Sequence, residues 1–430
     1  MNTRTSRPID DAAVARLGDQ VLDPLMKGFP GHAGSVRLRD LGTRGWNLLE
    51  DALPLPVLTL RRSALLHNIE LMRSYCDANG VLLAPHGKTT MAPQLFKMQL
   101  DAGCWGITAA TVEQLMVYRQ FGISRVLYAN QLAGRANVDY VSREVQRDGW
   151  EFFSFVDSPE SVEELVEGSK AAKSSVPFKV FVEVGFEGGR SGARKLEDVR
   201  SVAESVRNSG GRVELVGVAG FEGIMPIQRE PKKEAEIHAF LRRIGEAVDW
   251  LFGKHYLPDH FWITAGGSSA FDHVVEEFLH RWEGAATVIL RSGCYITHDH
   301  MMYANSSPMR GGERAFQPAL ELWTYVHSCP EPGLALLTFG RRDAPYDNGL
   351  PIPIKVSRAR STILEPLLGC QIKAVNDQHG YLTMPESVEL RVGDRVVLGV
   401  SHPCTAFDKW KLVYLVDDSA NVVGGILTFF

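Results

Sequence analysis

Between residues 81 and 293, apolar positions gather in short blocks separated by longer stretches with helical spacing. The blocks at 81–88, 104–110, 125–131, 152–157, 178–185, 213–221, 261–266 and 286–293 are rich in Val, Ile, Leu and Phe, the pattern of strands buried on both faces. Between blocks, Thr111-Val112-Glu113-Gln114 reads as a capping box, and Ser158-Pro159 as an N-cap followed by proline at the first helical position. Ile237, Phe240, Leu241, Ile244, Val248 and Leu251 recur at intervals of three and four, which predicts a helix with one apolar face. Eight strand and helix units in about 210 residues predict a parallel (β/α)8 barrel in preference to an open sheet.

After about residue 305 the helical runs stop. Short apolar segments, such as Arg395 to Val400, Lys411 to Val416 and Asn421 to Phe430, alternate there with turn signals such as Gly393-Asp394. The expected organisation of this α/β chain is therefore an extension over 1–50, a barrel over 51–304 and a β-rich domain over 305–430. Glycine and proline break the weak helical runs of the first 50 residues, which pack on the barrel or extend from it. The length of 430 residues accommodates a full barrel plus a second domain.

A net charge of -5 provides no basic field for nucleic acid or anionic membrane. Six cysteines are scattered without the spacing of a disulfide framework, which fits a reducing compartment. Asp10, Asp11, Arg16 and Asp19 interrupt any apolar leader, and no apolar run of about 18 residues occurs. The expectation is a cytoplasmic protein with no membrane or nucleic-acid partner.

Barrels carry their chemistry at the C-terminal ends of the strands, and the distinctive residues fall there. The first block ends in Pro85-His86-Gly87-Lys88-Thr89, with one lysine and no neighbouring carboxylate. Partial desolvation favours the neutral amine, the form that makes a Schiff base with an aldehyde cofactor. A phosphate-binding P-loop would need glycine where Leu82 stands, and a lysine that only snorkels to water is the plainer alternative. Arg190 lies in Gly188-Gly189-Arg190-Ser191-Gly192 after the fifth block. Gly266-Gly267-Ser268-Ser269 follows the seventh block, and Ser292-Gly293-Cys294-Tyr295 the eighth, where barrels often hold a phosphate. Each glycine loop alone could be an ordinary turn. Together with Lys88 they point to pyridoxal 5'-phosphate.

In Ser401-His402-Pro403-Cys404, an imidazole and a thiol two residues apart on an extended segment face one side and suit a borderline metal, most plausibly zinc. The competing reading is a loop histidine beside a buried cysteine. Thr297-His298-Asp299-His300 is a further candidate for metal binding or proton transfer, or a polar loop.

From about Leu53 onward these motifs, with Gly189-Arg190-Ser191-Gly192 and Ala265-Gly266-Gly267-Ser268, resemble the fold-type III pyridoxal phosphate enzymes of the D-serine dehydratase and D-threonine aldolase family. The resemblance implies an alanine-racemase-like barrel followed by a β domain, and a homodimer. It implies that Lys88 carries the cofactor and removes the α-proton, that Arg190 lies near the phenolic oxygen, and that the loops containing Gly266, Gly267, Ser268, Gly293, Cys294 and Tyr295 hold the phosphate. It also implies that His402 and Cys404 bind the metal. Cysteine at that second position looks more like the dehydratase branch, because the aldolase branch usually carries aspartate. Family members often place a tyrosine near the pyridine nitrogen where this chain has Phe221, whose ring offers no hydrogen bond. Glu222 is a possible substitute there, with a structural role as its alternative.

The implied substrate is a small hydroxy amino acid and the implied reaction is elimination to 2-oxo acid and ammonia. Retro-aldol cleavage to glycine and an aldehyde is the alternative. A non-catalytic pyridoxal phosphate carrier of the same fold would need neither the second domain nor the His402, Cys404 pair.

Overall fold

The computed structural model describes residues 9–225 and 229–430. Strand β1 (Val57–Arg61) comes first. Eight strands follow: β2 (Leu82–Leu83), β3 (Ile107–Ala109), β4 (Arg125–Gln131), β5 (Glu151–Val156), β6 (Phe178–Val184), β7 (Val213–Gly220), β8 (Phe261–Ala265) and β9 (Ala286–Leu290). They form one parallel sheet in the order β2-β9-β8-β7-β6-β5-β4-β3. Its two ends meet where Trp105 N donates to Leu83 O at 2.7 Å and Thr108 N to Pro85 O at 2.9 Å, so the sheet curls into a barrel.

Side chains alternate across the barrel wall as the two-residue period requires. Phe153, Phe155, Phe181 and Ile289 cluster inside with Trp105, while Phe152, Val180 and Val182 join the core beneath the helices. Rings of Trp105 and Phe153, and of Phe153 and Trp262, lie 5.3 Å apart, plugging the barrel with aromatic packing. The strand ends are left to bind a ligand.

The helix Pro159–Ala171 starts at the expected cap, with reciprocal bonds between Ser158 and Ser161. At Thr111, Gln114 reaches back one residue further than a capping box requires, to Ala110 N. Ile237, Phe240, Leu241, Ile244, Val248 and Leu251 all lie on the buried face of helix Pro231–Gly253. No described helix is long and apolar enough to cross a membrane.

The second sheet contains β10 (Leu320–Glu331), β11 (Leu334–Leu337), β12 (Ile352–Ser357), β13 (Glu365–Pro366), β14 (Gln371–Val375), β15 (Gly380–Thr383), β16 (Arg395–Gly399), β17 (Leu412–Val416) and β18 (Val422–Leu427). It also contains β1, antiparallel to β10 and parallel to β17, which corrects the expected barrel boundary at residue 51. Residues 57–60 are fully buried, so their backbone groups need partners on both sides, and the second sheet supplies them. Residues 9–50 are tied to both bodies: Asp10 N bonds Phe121 O, and Leu48 N bonds Ala420 O. Leu22, Phe29, Val36, Leu38 and Leu41 are buried in the process.

Candidate active site

Lys88 occupies a short 3-10 turn, Gly87–Thr89, directly beyond β2. A Cβ at Gly87 would lie 2.9 Å from Ile107 Cγ2 and 3.0 Å from Phe96 Cε1, so only glycine lets this turn press so closely on the wall. No carboxylate stands within ion-pair reach of Lys88 among the described residues. The neighbouring His86 has a buried Nδ1 without a hydrogen-bond partner among the described residues. Burial and the positive charges of Lys88, Arg291 and Arg190 hold its pKa well below the usual histidine value.

β9 lies beside β2, and its outgoing turn packs on the lysine segment. His86 N donates to Arg291 O at 3.2 Å, and a Cβ on Gly293 would come within 2.5 Å of His86 O. Cys294 N donates to Ser268 Oγ at 3.3 Å, joining the two glycine turns. Gly266, with φ of +87°, takes a backbone conformation suited to glycine.

The amides of Gly266 and Gly267, expected to face a phosphate, instead meet Glu222, whose carboxylate accepts them at 3.2 and 2.5 Å. Glu222 is fully buried and follows β7, so its charge is met by two amide dipoles and by nearby Arg291. Phe221 projects beside it, with the Arg190 guanidinium 5.1 Å from its ring centroid. Arg291 opens the motif Arg291-Ser292-Gly293-Cys294-Tyr295, part of the family resemblance, but sequence pattern assigns it no role of its own. It is buried, bonds Thr264 Oγ1 at 2.9 Å and Gly220 O at 2.7 Å, and lies over Phe155 at 5.3 Å. Burial pulls its pKa down to about 10 against the attraction of Glu222 and Glu183.

Tyr295 lies in the turn after β9, as expected, with its side chain facing inward. The 3-10 turn Cys294–Ile296 directs its phenol into the core, where the hydroxyl accepts Gln99 Nε2 at 3.1 Å. A buried phenol needs such a partner, and at Gln99 it faces no glycine turn.

From the second sheet, the segment after β16 turns toward the barrel mouth. Cys404 Sγ lies 3.2 Å from Thr89 Oγ1 and 3.3 Å from Cys294 Sγ, so thiols from both bodies meet beside the residue that follows Lys88. His402 and Cys404 lie close enough for each to shift the other's titration, and Pro403–Thr405 between them is a 3-10 turn. The turn, not the extended spacing expected, aims them at one point. Asp347, also unforeseen, accepts His402 Nδ1 at 2.6 Å and Thr405 Oγ1 at 2.7 Å. Its signal was weak, a lone carboxylate in a polar loop 55 residues upstream of His402.

Burial opposes protonation of His402, but Cys404 and Asp347 outweigh it and raise its pKa to about 9. The hydrogen bond from Cys294 lowers the Cys404 thiol well below its usual value, and the same bond raises Cys294. These shifts favour the thiolate at Cys404, and a soft or borderline cation would recruit that thiolate together with the neutral imidazole of His402, displacing its proton. In the histidine-rich loop, Asp299 accepts the amides of Met301 at 2.7 Å and Tyr303 at 3.0 Å, which makes it a cap for the helix Met302–Ser306.

The family model "Alanine racemase, N-terminal domain" matches residues 60–282, over half of the chain, and "Putative serine dehydratase domain" matches 319–416. A stretch of 139 residues is 29% identical to D-threo-3-hydroxyaspartate dehydratase of Delftia sp. (strain HT23), covering 32% of this chain. That match spans only 35% of the curated relative's length. Among solved structures, D-threonine aldolase from Filomicrobium marinum superposes with a TM-score of 0.74 at 23% identity, covering 89% of this chain and 96% of that one. The Delftia dehydratase superposes at 0.71 and 19% identity, covering 89% and 99%. At such identities the structures attest the shared fold.

Proposed function

The chain belongs to the alanine racemase N-terminal domain family, and from that premise we propose that it is a pyridoxal 5'-phosphate-dependent lyase. Its proposed reaction is dehydration of a D-3-hydroxy amino acid to a 2-oxo acid and ammonia, assisted by zinc or a similar divalent ion. The observation that carries this reading is the contact of Thr89 with Cys404, which sets a barrel-mouth lysine beside a thiol and imidazole from the second body. The dehydratase and aldolase activities of the similar proteins support the same choice of chemistry.

The residues present fit both groups. A lysine free of carboxylates, an unpartnered buried imidazole nitrogen at His86 and the joined turns of Ser268 and Gly293 suit an anionic aldehyde cofactor. Pyridoxal phosphate, when bound, supplies a carbonyl that condenses with amines and a conjugated ring that stabilises negative charge at Cα. Lys88 would hold it through Nζ, and the same nitrogen would take the proton from Cα as hydroxide leaves Cβ. Because Glu222 occupies the amides of Gly266 and Gly267, the phosphate contacts fall to Ser268 and to the Gly293-Cys294 turn. Arg190 reaches the mouth over Phe221, whose ring offers a face and no hydrogen bond, leaving the guanidinium to meet anionic oxygen.

Hydroxide leaves poorly, and a divalent cation at His402 and Cys404 would supply Lewis acidity to the β-hydroxyl. Asp347 holds the His402 ring in place and fixes which nitrogen faces Cys404. Retro-aldol cleavage is the second reading, motivated by the similarity to the aldolase structure.

The test is product analysis on both enantiomers of serine, threonine and 3-hydroxyaspartate. The dehydratase reading expects ammonia and 2-oxo acid from D substrates, loss of both on chelation, and recovery with zinc. Cys404→Ala should resemble the chelated protein. Stoichiometric glycine and aldehyde would replace this reading with the aldolase, and full activity after chelation would remove the metal.

A further inference from the structure

On the outer wall of the barrel, helix Pro231–Gly253 crosses helix Phe271–Phe278 and brings two histidines together. The rings of His238 and His273 lie 4.7 Å apart between centroids, nearly perpendicular at 73°. Glu276 Oε2 stands 4.0 Å from His238 Nε2 and 3.9 Å from His273 Nδ1. One donor atom from each of the three residues lies within 4.8 Å of the other two. We propose that His238, His273 and Glu276 form a second divalent-metal site, separate from the barrel mouth, that clamps these helices with zinc or a similar borderline cation.

Two features set this cluster apart from an ordinary acidic patch. The His273 side chain is only 10% exposed, yet its Nδ1 is buried and has no hydrogen-bond partner among the described residues. That nitrogen faces the carboxylate at a distance too long for a hydrogen bond and suited to an ion between them. Each ring also turns its other nitrogen toward a further carboxylate: His238 Nδ1 lies 3.7 Å from Glu277 Oε2, and His273 Nε2 lies 3.6 Å from Glu234 Oε1. Metal-binding histidines commonly have such a carboxylate behind them, which orients the ring and raises its basicity.

Donors bound tetrahedrally to zinc at about 2.0–2.1 Å sit roughly 3.3 Å apart, so Glu276 must approach each ring by about 0.6–0.7 Å and donors within 4.8 Å of one another must close by at most about 1.5 Å. Glu276, 73% exposed, is free to make that movement. Arg229 Nη1, 3.2 Å from His273 Nε2, favours a ring proton on Nδ1 in the metal-free protein. Metal binding at Nδ1 would move that proton to Nε2, which requires Arg229 to withdraw toward Asp272, its partner at 2.7 Å, and Glu234, 3.6 Å from Nε2, to close to hydrogen-bond distance. Nitrogen and carboxylate donors without sulfur suit zinc, nickel or cobalt over magnesium or calcium.

The test uses the full chain without a histidine tag, titrated with zinc chloride and followed by bound metal per chain and by thermal melting. His238→Ala should bind one zinc fewer than the parent and lose the corresponding rise in melting temperature. Glu276→Gln alters only an exposed side chain, and its affinity for that zinc should fall at least about tenfold. Both variants should keep any ammonia release the parent shows. Equal zinc content and equal metal-dependent stabilisation in parent and both variants would overturn the site. Unchanged zinc content in Cys404→Ala would instead count against the metal at the barrel mouth, without bearing on this cluster.

Discussion

Glu222 shows how one side chain can redirect the reading of a glycine loop. Two adjacent glycine amides form an anion seat, and the nearest anion is a carboxylate carried on the preceding strand end. Glu222→Ala would strand both buried donors, each worth about 1–3 kcal/mol. Urea denaturation should therefore show a loss of roughly 2 kcal/mol or more, with Glu222→Gln, which retains an acceptor oxygen, losing less. His298 and His300 make a second argument at this scale. Burial lowers both from 6.5 to about 4, and His300 Nδ1 has no partner. Between these values the unfolded chain binds protons that the folded chain refuses, so stability is fully present above pH 6.5 and falls as pH drops toward 4. Each could contribute on the order of 3 kcal/mol across that window. Melting between pH 7 and 4 checks this. A His298→Gln, His300→Gln pair should flatten the profile, and an unchanged slope would exclude these residues as its source.

The loop after β6 is shaped by Arg194, a residue with no motif to advertise it. Its guanidinium donates to the carbonyls of Ser191 at 2.6 Å, Gly192 at 2.9 Å, Gly189 at 3.0 Å and Arg190 at 3.1 Å. Lysine cannot reproduce that fork. Arg194→Lys should leave the fold intact and weaken cofactor binding about tenfold or more, since support of this kind commonly carries such a factor; equal affinity by fluorescence titration would detach the loop from the site. The barrel strands were legible because burial on both faces makes each an unbroken apolar block, and Lys88, Arg190 and the glycine turns sit where those blocks end. The inward direction of the Tyr295 phenol was not legible, because sequence shows that a turn follows β9 but not which way its side chains face. The 3-10 turn at Pro403 was hidden for a similar reason, since a His-x-Cys spacing fits both an extended segment and a turn. Arg291 stands in a recognised motif and Asp347 in none, but both act through partners far away along the chain that local pattern does not reveal.

At the scale of the molecule, the barrel and the second sheet are one unit woven by the chain. β1 enters the second sheet before the barrel begins, and the site closes only where Cys404 reaches Thr89 and Cys294. A texture change near residue 305 revealed the second body, yet β1 could not be assigned from sequence, because a short apolar block fits either sheet. This joined site is proposed to hold an aldehyde cofactor on one lysine at its floor. The most direct measurement is borohydride reduction of the full chain loaded with pyridoxal phosphate, followed by peptide mapping in parent and Lys88→Ala. The account expects a single stable label on the peptide containing Lys88 and none in the variant. A label on another lysine, or undiminished labelling in Lys88→Ala, would contradict it.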